Sequence, residues 1–447
     1  MFLAPLLFDD YFPMHSSLKV SFIFSLLILL GCVTIEDASY DIDPKMAIAM
    51  KPEFSIFHHS DNESTIYFKL KTEDILYTRN DRSKPFNANL KLAYALYNET
   101  GKTLIDSGSI LWKDFYTKQK KDYIDTNLFF QLPINNKAKL KLSLSDINRL
   151  RTYEKLVDVN KKDIFNRQFY LIKDTSGNIL MNNFFKGSQV IRLHNKYLSN
   201  KQIFMNYNNT IFPIAMPPFS KAKRQTFPRK TSYCKIFDFD HHVDINLPED
   251  GFVYFQLDTM SNQGFSLFNF DRDFPYLKRP RQLIPPLRFL CTSDEYLKLQ
   301  NGENAKNTVD QFWLSRTSSM ERARSLIKTY YSRVEKANEM FTSHVEGWKT
   351  DRGMISIIFG PPSYVRKTKN AEVWYYGQQS NANINAYNSI NDPMRIQSSG
   401  GGLKFTFDRV SNPFSMNDYE LDRNYSYKSS WYRAVESWRK GKVYIVQ

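Results

Sequence analysis

The chain has 447 residues, a formal net charge of +15 and only three cysteines. Its length indicates about two to three domains, and its hydrophobic share of 42% excludes global disorder. A positive chain suits a polyanion or an anionic membrane surface, but the lysines and arginines are scattered. The densest cluster, Lys221–Lys230, has no nucleic-acid-binding motif beside it, so we expect a solvated loop and no nucleic-acid partner.

The N-terminus has the pattern of an exported lipoprotein. Residues 14–32 contain Lys19, an apolar run at Val20–Leu30 and then Gly31-Cys32, which completes a lipobox. A run of about a dozen residues is too short to span a bilayer of roughly 30 Å. We therefore predict a signal peptide, lipidation of Cys32 and anchoring to a membrane through that lipid. An uncleaved anchor is the alternative, and the start of translation, Met1 or Met14, is left open.

The two other cysteines are Cys234 and Cys291. An exported protein meets an environment that permits disulfides, so these residues either pair or remain as two buried thiols. Their spacing, with no companion histidine, does not make a zinc site.

Residues 50–160 show a period of two. Ile66, Phe68 and Leu70 alternate with polar residues, and Leu140, Leu142 and Leu144 do the same. This alternation is typical of antiparallel sheets with one wet face. We predict a β-sandwich domain over residues 50–160.

Residues 161–290 are predicted to be a second β-rich region. The expected strands are Phe165–Ile172, Tyr233–Phe239, Phe252–Leu257 and Phe265–Phe270, with a proline-rich linker at Pro213–Pro228. The polar run Asp238–Asp244 holds two histidines and three aspartates, which suits either a metal site or a polar turn. Adjacent histidines on a strand point to opposite faces, so we favour the turn and predict no metal.

Residues 291–447 are predicted to form an α+β domain. Capping-box patterns begin at Thr292 and Ser318, and helical spacing of apolar residues predicts helices over Glu303–Ser315 and Ser319–Ser343. A last helix carries Trp431 and Trp438 on one face. The whole chain is therefore expected to be mainly β with an α+β C-terminal part.

The most unusual stretch is Gly347–Pro362, G-W-K-T-D-R-G-M-I-S-I-I-F-G-P-P. Its isoleucine-rich run Met354–Phe359 predicts a strand that ends at Gly360 and Pro361. Glu372–Tyr376 and Leu403–Phe407 predict two more strands. We expect a small antiparallel sheet with Trp348 packed against it.

Asp351 and Arg352 allow two interpretations. They are a catalytic acid and an anion clamp, or Asp351 caps a turn while Arg352 pairs with Glu346 or Glu372. One aspartate with one arginine is not a catalytic constellation, so we favour the structural interpretation.

This stretch resembles the signature of the GWxTD domain, a family of predicted bacterial lipoproteins seen mainly in the Bacteroidetes. The residues that carry the resemblance are Gly347, Trp348, Thr350, Asp351, Arg352, Gly353, Gly360, Pro361, Trp374, Tyr375 and Tyr376. The similarity covers roughly Cys291–Val446. It implies a lipoprotein of the outer membrane, facing the periplasm or the cell surface. The family has no established catalytic residues, so the resemblance implies no mechanism.

The order of glycine, apolar run, Gly-x-Pro and W-Y-Y is also similar to the small lipoprotein subunit of the outer-membrane β-barrel assembly machine. That subunit has a helix where Ile355–Phe359 is predicted here to be a strand.

The sequence contains no glycine-rich phosphate loop, no H-E-x-x-H and no nucleophile elbow. We expect no cofactor and a non-enzymatic role as scaffold or accessory subunit, with outer-membrane or periplasmic protein partners in an assembly or secretion complex. The Asn/Ser/Gly-rich loop Gln378–Gly402 is an expected contact region. The alternatives are a surface glycan-binding lipoprotein, and an envelope-polymer hydrolase that uses Asp351 with Glu346 or Glu372.

Overall fold

The computed structural model describes residue 50 and residues 52–79, 81–117, 121–185, 187–221, 231–261, 263–368, 370–377 and 402–446. The predicted signal peptide with Cys32 lies outside the described residues, as does nearly all of the loop Gln378–Gly402. Within the described part of the chain, no helix has the length and apolarity that a membrane crossing requires. The described elements are mainly strands, and most of the helical residues lie in the C-terminal part.

The first unit has two antiparallel sheets around one core. The sheets have strand orders β1-β2-β5 and β4-β3-β6-β7. Their strands are β1 Glu53–Phe57, β2 Glu63–Lys71, β3 Asn87–Asn98, β4 Leu104–Phe115, β5 Tyr123–Gln131, β6 Lys137–Asp146 and β7 Arg151–Asn160. Every second residue of β2, β3 and β6 is buried in the shared core, as the period of two predicts.

The second unit has another core, between a three-stranded and a five-stranded sheet. Their strand orders are β13-β10-β8 and β12-β11-β14-β15-β9. The strands are β8 Leu171–Asp174, β9 Phe184–Phe185, β10 Gln189–His194, β11 Lys201–Asn208, β12 Tyr233–Phe239, β13 His242–Leu247, β14 Phe252–Gln256 and β15 Phe265–Asn269. Three of the four predicted strands are thus present, as β12, β14 and β15.

The fourth predicted strand, Phe165–Ile172, is wrong over most of its length. The Asn166 side chain accepts a hydrogen bond from the backbone N–H of Gln168 and begins a 3-10 turn at Arg167–Phe169. Asparagine favours such local turns over extended backbone. The strand β8 starts only at Leu171.

A buried lysine joins segments of the first unit. Lys161 has no exposed surface, and its three ammonium N–H groups are shared among four backbone carbonyl oxygens at 2.8–3.2 Å, those of Ser60, Asp61, Glu63 and Leu132. Burial lowers the pKa of Lys161 to about 8. Through these hydrogen bonds, the ammonium ion connects the β1–β2 turn to the residue that follows β5.

The third unit contains all the named helices and one four-stranded antiparallel sheet of order β16-β17-β18-β19. The helices are α1 Pro280–Leu283, α2 Ser293–Gln300, α3 Ala305–Leu314, α4 Met320–Phe341, α5 Asp351–Phe359 and α6 Tyr427–Arg439. The strands are β16 Tyr364–Lys367, β17 Ala371–Tyr376, β18 Leu403–Arg409 and β19 Tyr419–Leu421. Thr292 makes the predicted capping box, whereas Ser319 rather than Ser318 caps α4.

Part of the predicted linker belongs to this third unit. Ile214, Ala215 and Phe219 pack against its core, and the backbone N–H of Ala215 donates to the carbonyl of Lys349 at 2.8 Å. The described residues 213–221 therefore contribute to the C-terminal unit, although they precede the last four strands of the second one.

Replacing Lys161 with methionine is expected to lower the free energy of unfolding of the first unit by about 3 kcal/mol, because buried carbonyls lose their donor. Hydrogen exchange of the β1–β2 turn measures the change. Lys162→Met is the matched control. Its ammonium is half exposed and 3.7 Å from Glu99, so its effect should stay within about 0.5 kcal/mol. Equal effects of the two substitutions would contradict the assignment.

The buried imidazole of His58 makes stability depend on pH. Burial and the nearby Lys161 lower its pKa to about 3, while an unfolded histidine has a pKa of about 6.5. The unfolded state therefore binds more protons between these values. Stability is complete above about pH 6.5 and falls by about 1.4 kcal/mol per pH unit as the pH drops towards 3.

Unfolding of His58→Gln between about pH 7 and pH 4 tests this, since the variant should lose that part of the slope.

Candidate functional site

The signature residues form a turn and a buried helix. Gly347–Lys349 make a 3-10 turn, and α5 follows at Asp351–Phe359. The predicted strand Met354–Phe359 is therefore wrong. Thr350 accepts a hydrogen bond from the N–H of Gly353 and starts the helix. Every residue of α5 except Ser356 is buried, and a short apolar run does not distinguish a buried helix from a buried strand.

Two glycines allow backbone segments to touch. A Cβ atom on Gly347 would lie 1.8 Å from the carbonyl oxygen of Ala337 in α4, and one on Gly353 would lie 1.9 Å from the carbonyl oxygen of Gly347. No side chain fits at these distances. The turn is thus pressed between α4 and the first turn of α5.

Asn338 of α4 holds the turn through its side chain. Its Oδ1 accepts from the backbone N–H of Trp348 at 3.1 Å, and its Nδ2 donates to the carbonyl of Pro275 at 3.0 Å. Thr342 accepts from the N–H of Gly347. The Trp348 ring is buried and meets Phe289 edge-on. Trp374 of β17 packs against Phe341 of α4 in the same core.

Asp351 binds the segment that follows β19. Its carboxylate forms a bidentate ion pair with Arg423 and also accepts from the backbone N–H of Leu421 at 2.8 Å. The turn-capping role belongs to Thr350, so that detail of the structural interpretation is wrong. The aspartate ties the beginning of α5 to the end of the sheet.

Arg352 lies buried between two aromatic rings. Its guanidinium carbon is 4.1 Å from the ring centroid of Tyr419 and 5.2 Å from that of Phe341. It pairs with Glu372 at 3.2 Å and donates to Asn417 at 2.6 Å. The predicted Arg352–Glu372 pair is therefore present, whereas Glu346 pairs with Lys349.

The carboxylate of Glu372 is held ionised. Burial by itself would raise its pKa, but Arg352 and Lys367 outweigh burial and keep the pKa below its usual value. Trp374 also donates to it through Nε1 at 3.2 Å. A buried carboxylate that two cations and an indole N–H already engage is a poor general acid or base.

The C-terminal end of α5 is satisfied by three side chains. Arg333 donates to the carbonyl of Ile357 at 2.9 Å, Trp438 to that of Ile358 at 3.0 Å, and Tyr376 to that of Gly360 at 2.9 Å. Gly360 has a φ of +86° and ends the helix, and Pro361 after it is exposed. Burial lowers the pKa of Arg333 to about 10.

Tyr375 is the signature residue on the solvent side of the sheet. It is half-buried, and its ring tilts against that of Tyr364 on β16, with centroids 5.7 Å apart. Trp374 and Tyr376 point the other way into the core. Of these three signature residues, the alternation along β17 therefore brings only Tyr375 to the surface.

The signature also lines a small hollow of about 300 Å³. Trp348, Phe274 and Tyr276 supply aromatic edges, and Arg279 and Lys349 supply charge. Arg279 is paired with Asp271 and Asp273, and Lys349 with Glu346. These charges therefore have partners within the protein.

The other predicted sites separate. Cys234 is exposed on β12 and Cys291 is half-buried, and both are free thiols, so the structure contains neither the disulfide nor two buried thiols. Burial and Glu295 raise the pKa of Cys291 to about 11. At Asp238–Asp244 the chain makes a polar turn at His241, whose φ is +60°. In the described ranges, no three histidine, cysteine or carboxylate side chains are grouped to hold a metal ion.

The fold and the signature define an α+β domain built on one buried, side-chain-capped helix. A comparison with protein families gives it a name, because the model of the GWxTD domain matches residues 251–440. The chain thus contains a GWxTD domain, and over these residues it belongs to that family. The match begins upstream of the predicted start at Cys291. A search of curated proteins found none that match the chain.

Replacing Gly353 with alanine is expected to destabilise the C-terminal unit by about 4 kcal/mol or more, because the new methyl group collides with the Gly347 carbonyl. Five of the six tryptophans lie in this unit, so tryptophan fluorescence during urea unfolding reports on it. Ser356→Ala is the control. Ser356 is the one residue of α5 that is not buried, so its replacement should change the stability of the same unit by less than about 0.5 kcal/mol. A Gly353 variant as stable as the control would refute the close packing.

Proposed function

We propose that this protein is a lipoprotein, anchored in the outer membrane through Cys32, that serves as a non-enzymatic scaffold or accessory subunit of an envelope protein assembly or secretion complex. The observation that carries the proposal is that the charged signature residues find their partners within the domain. Asp351 pairs with Arg423 inside the domain. Arg352 pairs with Glu372 and donates to Asn417, and Glu372 also pairs with Lys367. The charged residues of the signature therefore stabilise the fold of this domain.

The same observation argues against the hydrolase alternative. Such an enzyme needs two carboxyl groups facing each other across a cleft, about 5–10 Å apart. The three candidates, Asp351, Glu346 and Glu372, are each engaged by a cation of the same domain. We therefore do not propose hydrolysis.

The helix α5 strengthens the likeness to the small subunit of the β-barrel assembly machine. The strand predicted at Ile355–Phe359 was the point of difference, and this segment is helical. This likeness supports an accessory role next to a membrane machine.

A protein contact is supported by the edge strand β4. It is twelve residues long and, among the strands that the structure describes, it pairs with β3 alone. Leu111 on its outer face is 75% exposed, and Phe115 on the same face is also exposed. Long edge strands with exposed apolar residues are surfaces on which another chain adds a strand or packs.

The proposal predicts that the full-length protein, tagged at its C-terminus and extracted in mild detergent, retains a stoichiometric envelope protein. The double variant Leu111→Lys/Phe115→Lys should lose that protein, since two charges on β4 oppose docking. Leu150→Lys is the matched control, because Leu150 is an exposed leucine outside the strands. A partnerless lipoprotein that protease removes from intact cells would overturn the proposal.

A further inference from the structure

A groove of about 610 Å³ opens beside the sheet of the C-terminal unit. Its lining includes Phe219–Lys221, Asp408 and Glu420 on the sheet, and the segment Leu421–Tyr425. Its size lies within the range of about 300–1,000 Å³ that is typical of small-ligand sites. No signature residue lines it.

Aromatic rings lie in the lining of this groove and beside it. Tyr425 is 65% exposed, and Phe219 tilts against Tyr432, which is 54% exposed. Lys428 lies over the Tyr425 ring and donates to its hydroxyl at 3.0 Å, which fixes the ring. Exposed, held aromatic faces are suited to stack on an apolar face of a ligand.

The carboxylates of the groove are available to a ligand. Asp408 and Glu420 lie directly opposite each other on β18 and β19, where like charges are unfavourable. In the part of the chain that the structure describes, the side chains of Asp408 and Asp422 have no hydrogen bond or ion pair, and Glu420 has Arg423 at 3.9 Å. Their oxygens can therefore accept hydrogen bonds from a ligand.

The distribution of charge narrows the class of ligand. The three carboxylates are accompanied by Lys221 in the lining and by Lys428 next to Tyr425, while the charge of Arg423 is matched by Asp351. The groove thus has a small excess of negative charge, which does not favour a polyanion. The carboxylates are also not grouped as metal ligands among the described residues. A neutral ligand with many hydroxyl donors and an apolar face matches both features.

We infer that this groove binds a neutral glycan, with Tyr425 stacking on a sugar ring and Asp408, Glu420 and Asp422 accepting hydrogen bonds from its hydroxyls. The inference goes beyond the accessory-subunit proposal and does not depend on it. The inference also assigns a role in ligand binding to one signature residue, Asp351. Asp351 holds Arg423 and the N–H of Leu421, so it is a positioning residue for this wall of the groove.

Binding of cellohexaose, maltohexaose and chitohexaose to the full-length protein in mild detergent tests the inference. Isothermal titration calorimetry gives the affinity, and ultraviolet difference spectra report on tyrosine stacking. At least one hexaose should bind saturably, with an affinity nearly independent of salt because the ligand is neutral. Tyr425→Ala should weaken it about threefold to tenfold.

The double variant Asp408→Asn/Asp422→Asn should weaken binding at least as much. Because it also relieves the repulsion with Glu420, it should fold at least as well as the natural chain, so a loss of binding cannot come from unfolding. Tyr116→Ala and Asp294→Asn are the controls. They remove an exposed tyrosine and an exposed aspartate elsewhere and should leave the affinity unchanged.

Three results would overturn the inference. They are the absence of binding to all three hexaoses, binding that the groove variants leave intact, and strongly salt-dependent binding of heparin or polylysine that the groove variants abolish. If Tyr425→Ala retains the envelope protein, partner binding does not depend on the groove, and the two proposals are tested independently.

Discussion

The C-terminal unit depends on the burial of one short helix from every side. A helix leaves about four N–H groups and four carbonyl groups without partners at its ends, and in a buried helix water cannot supply them. The ends of α5 are satisfied by side chains instead. Thr350 stands at the first turn, and Arg333, Trp438 and Tyr376 reach the last carbonyls.

This constraint explains why such different residue types occur together in the signature. The glycines permit contact of the helix with the preceding turn and with α4. The aspartate and the arginine on the first turn of α5 bind the segments before and after β19. Trp374 and Tyr376 near the end of β17 fill the core, and the hydroxyl of Tyr376 also donates to the carbonyl of Gly360 at the end of α5. Each residue type solves one problem of burying polar backbone.

The sequence predicted well wherever one face of an element is wet. The strands β2, β3 and β6 alternate between core and solvent, and α4 has an apolar stripe, so periodicity identifies them. It failed at α5, because a segment that is apolar on all sides has no period to detect. The partners of the signature were also beyond prediction, since Arg423 and Asn417 lie 72 and 65 residues away from Asp351 and Arg352. Neither belongs to a recognisable motif.

The contact between Ala215 and Lys349 shows that the stretch recognisable as a family domain and the stretch that folds as one body are different. The family match starts at residue 251, yet Ile214, Ala215 and Phe219 cover the same core from outside it. A chain cut at that start would uncover apolar surface and leave the carbonyl of Lys349 without its amide. Gene fusion or domain shuffling would therefore have to carry the upstream segment along. The portability of this domain is set by a few residues that its signature does not include.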